Sequence, residues 1–225
     1  MTLVLKGSSL TDSLSDAFRA QIIAGHIPVG ERLTESWVAT RFDVARPTAK
    51  AGLDRLTNEG LLRRGPRKSA IVPNLSADDV RDIYFSREPI ESRAVLSLAE
   101  QGNIPADAER AFAIMTVAAQ RHLDTEHTEA DIAFHRALVN SAGSTRLRRM
   151  HETVMGEAQL CIAQVRRRTG VDLIALTAGH GAILDAIRAG DPASAVGALK
   201  DDLFGCRDTL LDGIPAQTSE LVYYR

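Results

Sequence analysis

Apolar residues recur at helical spacing in two short runs between residues 33 and 60, and again along most of residues 76 to 212. In the first run Leu33 precedes Trp37, Val38 and Phe42, which predicts a short helix over Glu35 to Phe42. Asp43, Val44 and Ala45 turn the chain. Pro47 suits the first turn of a new helix, where its missing N–H costs nothing. Ala49, Leu53 and Leu56 then form a stripe at i, i+4 and i+7, leaving Arg46, Lys50 and Arg55 off the stripe and expected to face outward. Gly60 ends that helix as a C-terminal glycine. Leu61 to Arg63 and Ser69 to Val72 are expected to pair as strands around Gly65, Pro66, Arg67 and Lys68. Helix, turn, helix and basic hairpin outline a winged helix-turn-helix over residues 33 to 72. A hairpin with Arg63, Arg64, Arg67 and Lys68 suits phosphate or minor-groove contact, so double-stranded DNA is the first partner to consider.

The later pattern predicts helices near 76–101, 105–123, 129–142, 144–168, 172–190 and 192–212. Breaks fall at Gly102 to Pro105, a polar stretch near 124–128, Gly143, Thr169-Gly170 and Gly190 to Pro192. Ser76 is placed to cap the first of them, with Asp78 and Asp79 in its first turn, and Pro89 inside it is a candidate kink. With only 4% aromatic residues, the segment suits a helix bundle. The expected fold is mainly α, an N-terminal winged helix-turn-helix with a small β-hairpin wing followed by an all-α antiparallel bundle. The expected divisions are residues 1–73, 76–212 and a tail at 213–225.

Charge sharpens this division. The net charge is −2, yet residues 1 to 75 hold 11 Lys and Arg against 7 Asp and Glu, while the rest holds 16 against 22. The basic excess lies where DNA is expected. No apolar run approaches the roughly 20 residues a membrane helix needs. Asp12 and Asp16 interrupt any signal-peptide pattern, so a cytoplasmic protein is expected. Cys161 and Cys206 have no paired metal spacing and read as reduced core residues.

Residues 22 to 62 resemble the N-terminal domain of GntR-family bacterial transcription regulators. The resemblance rests on Gly25, Pro28 to Gly30, Leu33, Val44, Arg46, Leu53, Leu56, Gly60 and Leu61. The chain departs from the family's pattern after Val44: Ala45 replaces a hydroxyl residue, Pro47-Thr48 reverses the usual order, Lys50 replaces an arginine, Ala51 a glutamate, and Gly52 weakens the helix. Lys50 binds as a point charge where arginine can grip guanine with two bonds, so the operator sequence is expected to differ. Arg87 with Glu91, residues 131–147 and residues 180–203 resemble the helical effector domain of the FadR branch. The resemblance implies a homodimer on a palindromic operator. Arg46, Thr48 and Lys50 would contact DNA from the recognition helix, and Gly65, Arg67 and Lys68 from the wing.

Within the helical half, Asp131 and His135 are one turn apart on a face continued by Leu138 and Ala142. Asp131 also fits as the fourth residue of a capping box led by Thr128. His180 has Ile183, Leu184 and Ile187 on its face. The turn at Gly190-Asp191 brings Asp202 to a similar height on the next helix. These four residues could meet in one pocket. Such a set suits Zn²⁺, Mn²⁺, Ni²⁺ or Fe²⁺, and equally a hydrogen-bonded buried polar cluster. Metal-binding family members resemble one Asp and three His, so Asp202 stands where the third His is expected. Arg87 reads either as a partner of Glu91 or, by the resemblance, as an anchor for an effector carboxylate. His26, His122, His127 and His151 read as surface residues, and Arg166 to Arg168 as a solvated helix end. Together these readings describe a transcription regulator, a repressor rather than an enzyme, switched by a small organic acid. Two rivals are a helical metalloenzyme and an architectural DNA-binding protein that senses nothing.

Overall fold

A computed structural model describes residues 10–66, 69–166 and 172–214, except for the side chain of Arg166. Contacts divide the chain into two units, with the boundary between Asn74 and Leu75.

The first unit opens with α1 (Leu10–Ile23), an element that the apolar pattern above did not single out. Its buried face is Leu14, Phe18 and Ile22. Strand β1 (Arg32–Thr34) leads into α2 (Glu35–Phe42), whose N-terminus is capped by Thr34 Oγ1 accepting from the Trp37 N–H at 3.2 Å. Asp43 takes the left-handed conformation at φ 50°, which stops α2 and starts the turn to α3 (Arg46–Asn58). Pro47 lies in the first turn of α3, and Ala49, Leu53 and Leu56 are buried as the stripe requires. Phe18 packs against Trp37 and Phe42, with ring centroids 6.3 and 5.3 Å away. Gly52 has a structural reason: a Cβ there would lie 3.0 Å from Leu14 Cδ2, so its absence lets α1 and α3 approach closely. Strands β2 (Arg63–Gly65) and β3 (Ser69–Ile71) form the wing. The sheet order is β1-β3-β2, all antiparallel, with Leu33 and Arg64 both opposite Ala70. The expected hairpin therefore has a third strand, contributed by the residues just before α2.

The second unit contains α4 (Ala77–Gln101), α5 (Ala106–Gln120), α6 (Asp124–Ser141), α7 (Thr145–Arg166), α8 (Leu173–Arg188) and α9 (Pro192–Asp212). Ser76 and Asp79 form a reciprocal capping box on α4, which runs through Pro89 to a left-handed Gly102. Helix α6 starts earlier than its sequence pattern suggests. The polar stretch at 124–128 is its first turn, where Asp124 and Glu126 meet the positive end of the helix dipole. The reversal into it occurs at His122, with φ 53°. Thr128 is thus inside the helix, donating to the Asp124 carbonyl at 2.9 Å, and the capping-box reading of Asp131 falls. Helix α4 packs on α6, α7, α8 and α9, while α5 packs on α6 and α8. Its core includes Tyr84, Leu98, Met115, Phe134, Leu138, Ile162, Ile183 and Leu199.

Candidate functional site

Five helices of the second unit each send polar side chains into one buried cluster. Helix α6 supplies His127, Asp131 and His135, four residues apart and all buried. Helix α8 supplies Thr177 and His180, α4 supplies Arg87 and Glu91, α7 supplies His151, and α9 supplies Asp202. His180 Nδ1 donates to the Leu176 carbonyl at 3.0 Å, which directs Nε2 to within 3.1 Å of Asp131 Oδ1. Asp202 lies against both imidazoles, 3.3 Å from His180 Nδ1 and 3.5 Å from His135 Nε2. On its other side His135 Nδ1 lies 2.6 Å from Glu91 Oε2. Glu91 Oε1 accepts from Arg87 Nε at 2.7 Å and from His151 Nε2 at 3.0 Å. One turn beyond Asp131, His127 Nε2 donates to Thr177 Oγ1 at 3.0 Å, and that hydroxyl donates to the Leu173 carbonyl. Gly179 and Gly181 flank His180 for steric reasons: a Cβ at Gly179 would lie 2.9 Å from Asp202 Oδ1, and one at Gly181 would lie 3.2 Å from Phe112 Cζ.

Burial sets the electrostatics. It opposes ionisation of Glu91, but Arg87 and then His135 outweigh it, holding the carboxyl well below its ordinary range. Burial likewise opposes the Arg87 charge, and Glu91 reverses that, so the guanidinium stays charged. Burial lowers the His151 pKa, and Glu91 only partly compensates. For His180 burial is overcome by Asp202 and then Asp131, which push the imidazole up to about 9. Among the described residues, three carboxylates whose side chains are at most 6% exposed, Glu91, Asp131 and Asp202, thus meet one arginine. A buried carboxylate excess of this kind calls for more positive charge, from a proton on His180 or from a cation.

The residues fit a divalent ion. Asp131, His135 and His180 each offer a ligand atom within 4.8 Å of the others. His180 Nε2 is buried and faces Asp131 Oδ1 at 3.1 Å without a well-aligned hydrogen bond. With the Nδ1 proton held by Leu176, its lone pair faces the cluster. The Glu91 carboxylate beside His135 Nδ1 matches the outer-shell arrangement that orients an Nε2 ligand. Asp202 touches both imidazoles but stands outside this compact group of three.

Two histidines depart from their expected surface positions. His151 is 1% exposed because it begins a stripe with Met155, Ala158 and Ile162 that turns inward despite the adjacent Arg148 and Arg149. His127 is 0% exposed because residues 124–128 are helical and put it on the Asp131–His135 face. His26 and His122 are exposed as expected. Arg87 is paired with Glu91 and 1% exposed, while its Nη2 has no hydrogen-bond partner among the described residues. Cys161 and Cys206 are free thiols; burial raises Cys161 to about 12, and Tyr84 donates to Cys206 Sγ at 3.1 Å.

In the first unit Arg46 and Lys50 are exposed on α3 and Thr48 is half-buried. Arg55 is not directed outward with them. It pairs with Glu59 at 2.9 Å and with Asp12 of α1. Gly65 lies in β2, where a Cβ would meet Ser69 Oγ at 2.6 Å. Arg32, which the sequence pattern did not mark, donates to Ser69 Oγ and to the Pro66 carbonyl, both at 3.1 Å, and so braces the wing turn. Arg67 and Lys68, and in the second unit Arg167 and Arg168, lie outside the described residues.

These features define a class: a winged helix-turn-helix unit joined in one chain to an all-helical unit with a buried histidine–carboxylate cluster. Comparison with known proteins makes the class specific. The FCD domain family matches residues 82–203, and the family of bacterial regulatory proteins called gntR matches residues 10–72. The chain belongs to the gntR family and carries an FCD domain. It is 28% identical over 151 residues to the uncharacterized HTH-type transcriptional regulator YdhC of Bacillus subtilis, an overlap of 64% of this chain and 65% of that protein. The gluconate operon transcriptional repressor of the same species is 23% identical over 86% of this chain and 82% of its own. A putative transcriptional regulator GntR from Rhodococcus sp. RHA1 shares the fold with a TM-score of 0.76 at 23% identity, covering 91% of this chain and 99% of its own. E. coli McbR/YncC also has a TM-score of 0.76, at 19% identity, covering 91% and 98%.

Proposed function

We propose that this protein is a DNA-binding transcription repressor, not an enzyme, whose helical unit senses a small carboxylate metabolite through a divalent metal. Arg46, Thr48 and Lys50 contact DNA from α3, and Gly65, Arg67 and Lys68 from the wing. A homodimer then reads a palindromic operator. Asp131, His135 and His180 hold the metal, with Asp202 as a fourth, adjacent carboxylate. Arg87 is the second anchor for the metabolite. The metal supplies a Lewis-acidic point for a carboxylate ligand. Two imidazoles with carboxylates and no thiolate suit Mn²⁺, Fe²⁺, Ni²⁺ or Zn²⁺.

The observation that carries this reading is the buried carboxylate excess around His180, whose Nε2 faces Asp131 Oδ1 at 3.1 Å and whose ring lies against Asp202. A catalytic reading would need a separate general base. His127 and His151, the other buried histidines, are instead committed to Thr177 and Glu91. The relative that represses a gluconate operon supports an organic acid as the effector class. Metal content of the purified protein tests the reading, measured beside a His135→Ala, His180→Ala double variant. One metal per chain, lost in the variant, is expected. No metal in the wild type after reloading would leave the cluster as a hydrogen-bonded core whose carboxylate excess a proton on His180 only partly offsets.

A further inference from the structure

Helix α3 carries a carboxylate on the face that the proposed function turns towards DNA. Arg46, Lys50 and Asp54 lie four residues apart along it. Asp54 Oδ2 holds Lys50 Nζ at 2.7 Å, and Asp54 Oδ1 holds Arg64 Nη1 of β2 at 3.0 Å. The two cations are 60% and 67% exposed, whereas the carboxylate between them is 30% exposed. Asp54 thus sits beneath two solvent-facing charges, one on the helix and one on the wing, and neutralises part of each. The cleft it occupies, about 200 Å³, is lined also by Glu35, Leu53, Thr57 and Ser69. The other acidic groups of the α1–α3 contact face elsewhere: Glu59 and Asp12 hold Arg55 and Arg19.

We propose that Asp54 is a specificity-determining residue, an electrostatic brake that lowers sequence-independent affinity for DNA by competing with phosphates for Lys50 and Arg64. This inference rests on the DNA-binding reading above. Exposed ion pairs are weak, so phosphates can displace Asp54 from its partners. They must then approach a carboxylate that stays on the same surface. Random DNA offers phosphate contacts and little else, so it bears the whole of this cost. On a selected site Lys50 turns to a base edge, so fewer phosphates meet the carboxylate there and the cost is smaller. The brake therefore widens the gap between the two.

The test uses the full chain and a labelled random-sequence duplex across a salt series, with a duplex selected from a random pool by the wild type as the second probe. Asp54→Asn is expected to bind the random duplex about tenfold tighter at low salt. Its plot of log affinity against log salt should steepen by about 1 to 2, one for each freed cation. The ratio of selected to random affinity should narrow. Asp16→Asn makes the same charge change on exposed α1 and should move affinity less than about twofold. Adding Lys50→Met and Arg64→Met to Asp54→Asn should abolish the gain. An Asp54→Asn protein within twofold of wild type, an equal gain from Asp16→Asn, or a gain that survives loss of both cations would each overturn the proposal. If the wild type binds no random duplex and enriches no sequence from the pool, the DNA-binding reading fails and the brake with it.

Discussion

A metal at Asp131, His135 and His180 must displace a proton, and this makes its affinity steeply dependent on pH. Asp202 and Asp131 hold the His180 imidazole protonated up to about pH 9. Its Nδ1 proton is committed to the Leu176 carbonyl, so the ligating lone pair must come from Nε2. Below pH 9 each metal bound therefore releases one proton, and affinity falls tenfold per unit. Between pH 8 and pH 6 the loss is roughly a hundredfold, or about 3 kcal/mol. An imidazole with the ordinary pKa of about 6.5 would give only about a fourfold change over that range. Calorimetric titration of the chelator-stripped protein with Mn²⁺ or Zn²⁺, in buffers of different ionisation enthalpy, reads both the affinity and the proton count.

The metal-free protein supplies the opposite sign. A folded pKa of about 9 lies above the unfolded 6.5, so the protonated His180 contributes its full stability below pH 6.5. That contribution is lost as pH rises through 9. Melting of the stripped protein should fall over this window by up to about 3 kcal/mol, while the loaded protein gains. A change of less than fivefold in metal affinity between pH 6 and 8, with no proton released, would refute the assigned charge state of the cluster.

Four further outcomes follow from the packing and the charges. Arg87→Met strands the buried Glu91 carboxylate and should cost about 3–5 kcal/mol in denaturant unfolding, whereas the double change with Glu91→Leu should recover most of it. Gly52→Ala should lower the melting temperature, since its Cβ would meet buried Leu14 and overpacking outweighs the helix propensity gained. Gly197→Ala, whose new Cβ would meet no described residue beyond its own stretch of helix within 4 Å, should add about 0.5–1 kcal/mol. Asp202→His removes the largest contribution raising His180, so the pH dependence of metal affinity, measured by the same titration, should become shallower.

The two halves differed in how much their residue patterns disclosed. Helices α2 and α3 were legible because their apolar stripes and the Pro47 and Gly60 boundaries agree with one another. Helix α1 carries Leu14, Phe18 and Ile22 one turn apart, but the Ser and Asp residues between them lower its helix propensity and blur the stripe. Strand β1 has three residues, too few for an alternation to register. At the site, Asp131, His135 and His180 stood out because each shares a face with aliphatic residues. His151 was masked by the arginines beside it, although Met155, Ala158 and Ile162 mark its inward phase. His127 was masked by an acidic first turn that reads as a loop. The contacts of Glu91 with His135 and His151 join α4 to α6 and α7, and no spacing along a single helix encodes them.

Those cross-helix contacts explain why the cluster should be treated as one electrostatic unit. Arg87 neutralises Glu91, and Glu91 in turn occupies His135 Nδ1 and His151 Nε2. This leaves Asp131 and Asp202 to share the remaining positive charge through His180. With a histidine at position 202, a proton on His180 alone would balance Asp131. With Asp202, that proton leaves one negative charge in the core, whereas a divalent ion in its place balances both carboxylates. An aspartate at position 202, where the family resemblance implies a histidine, therefore strengthens the electrostatic demand for a cation.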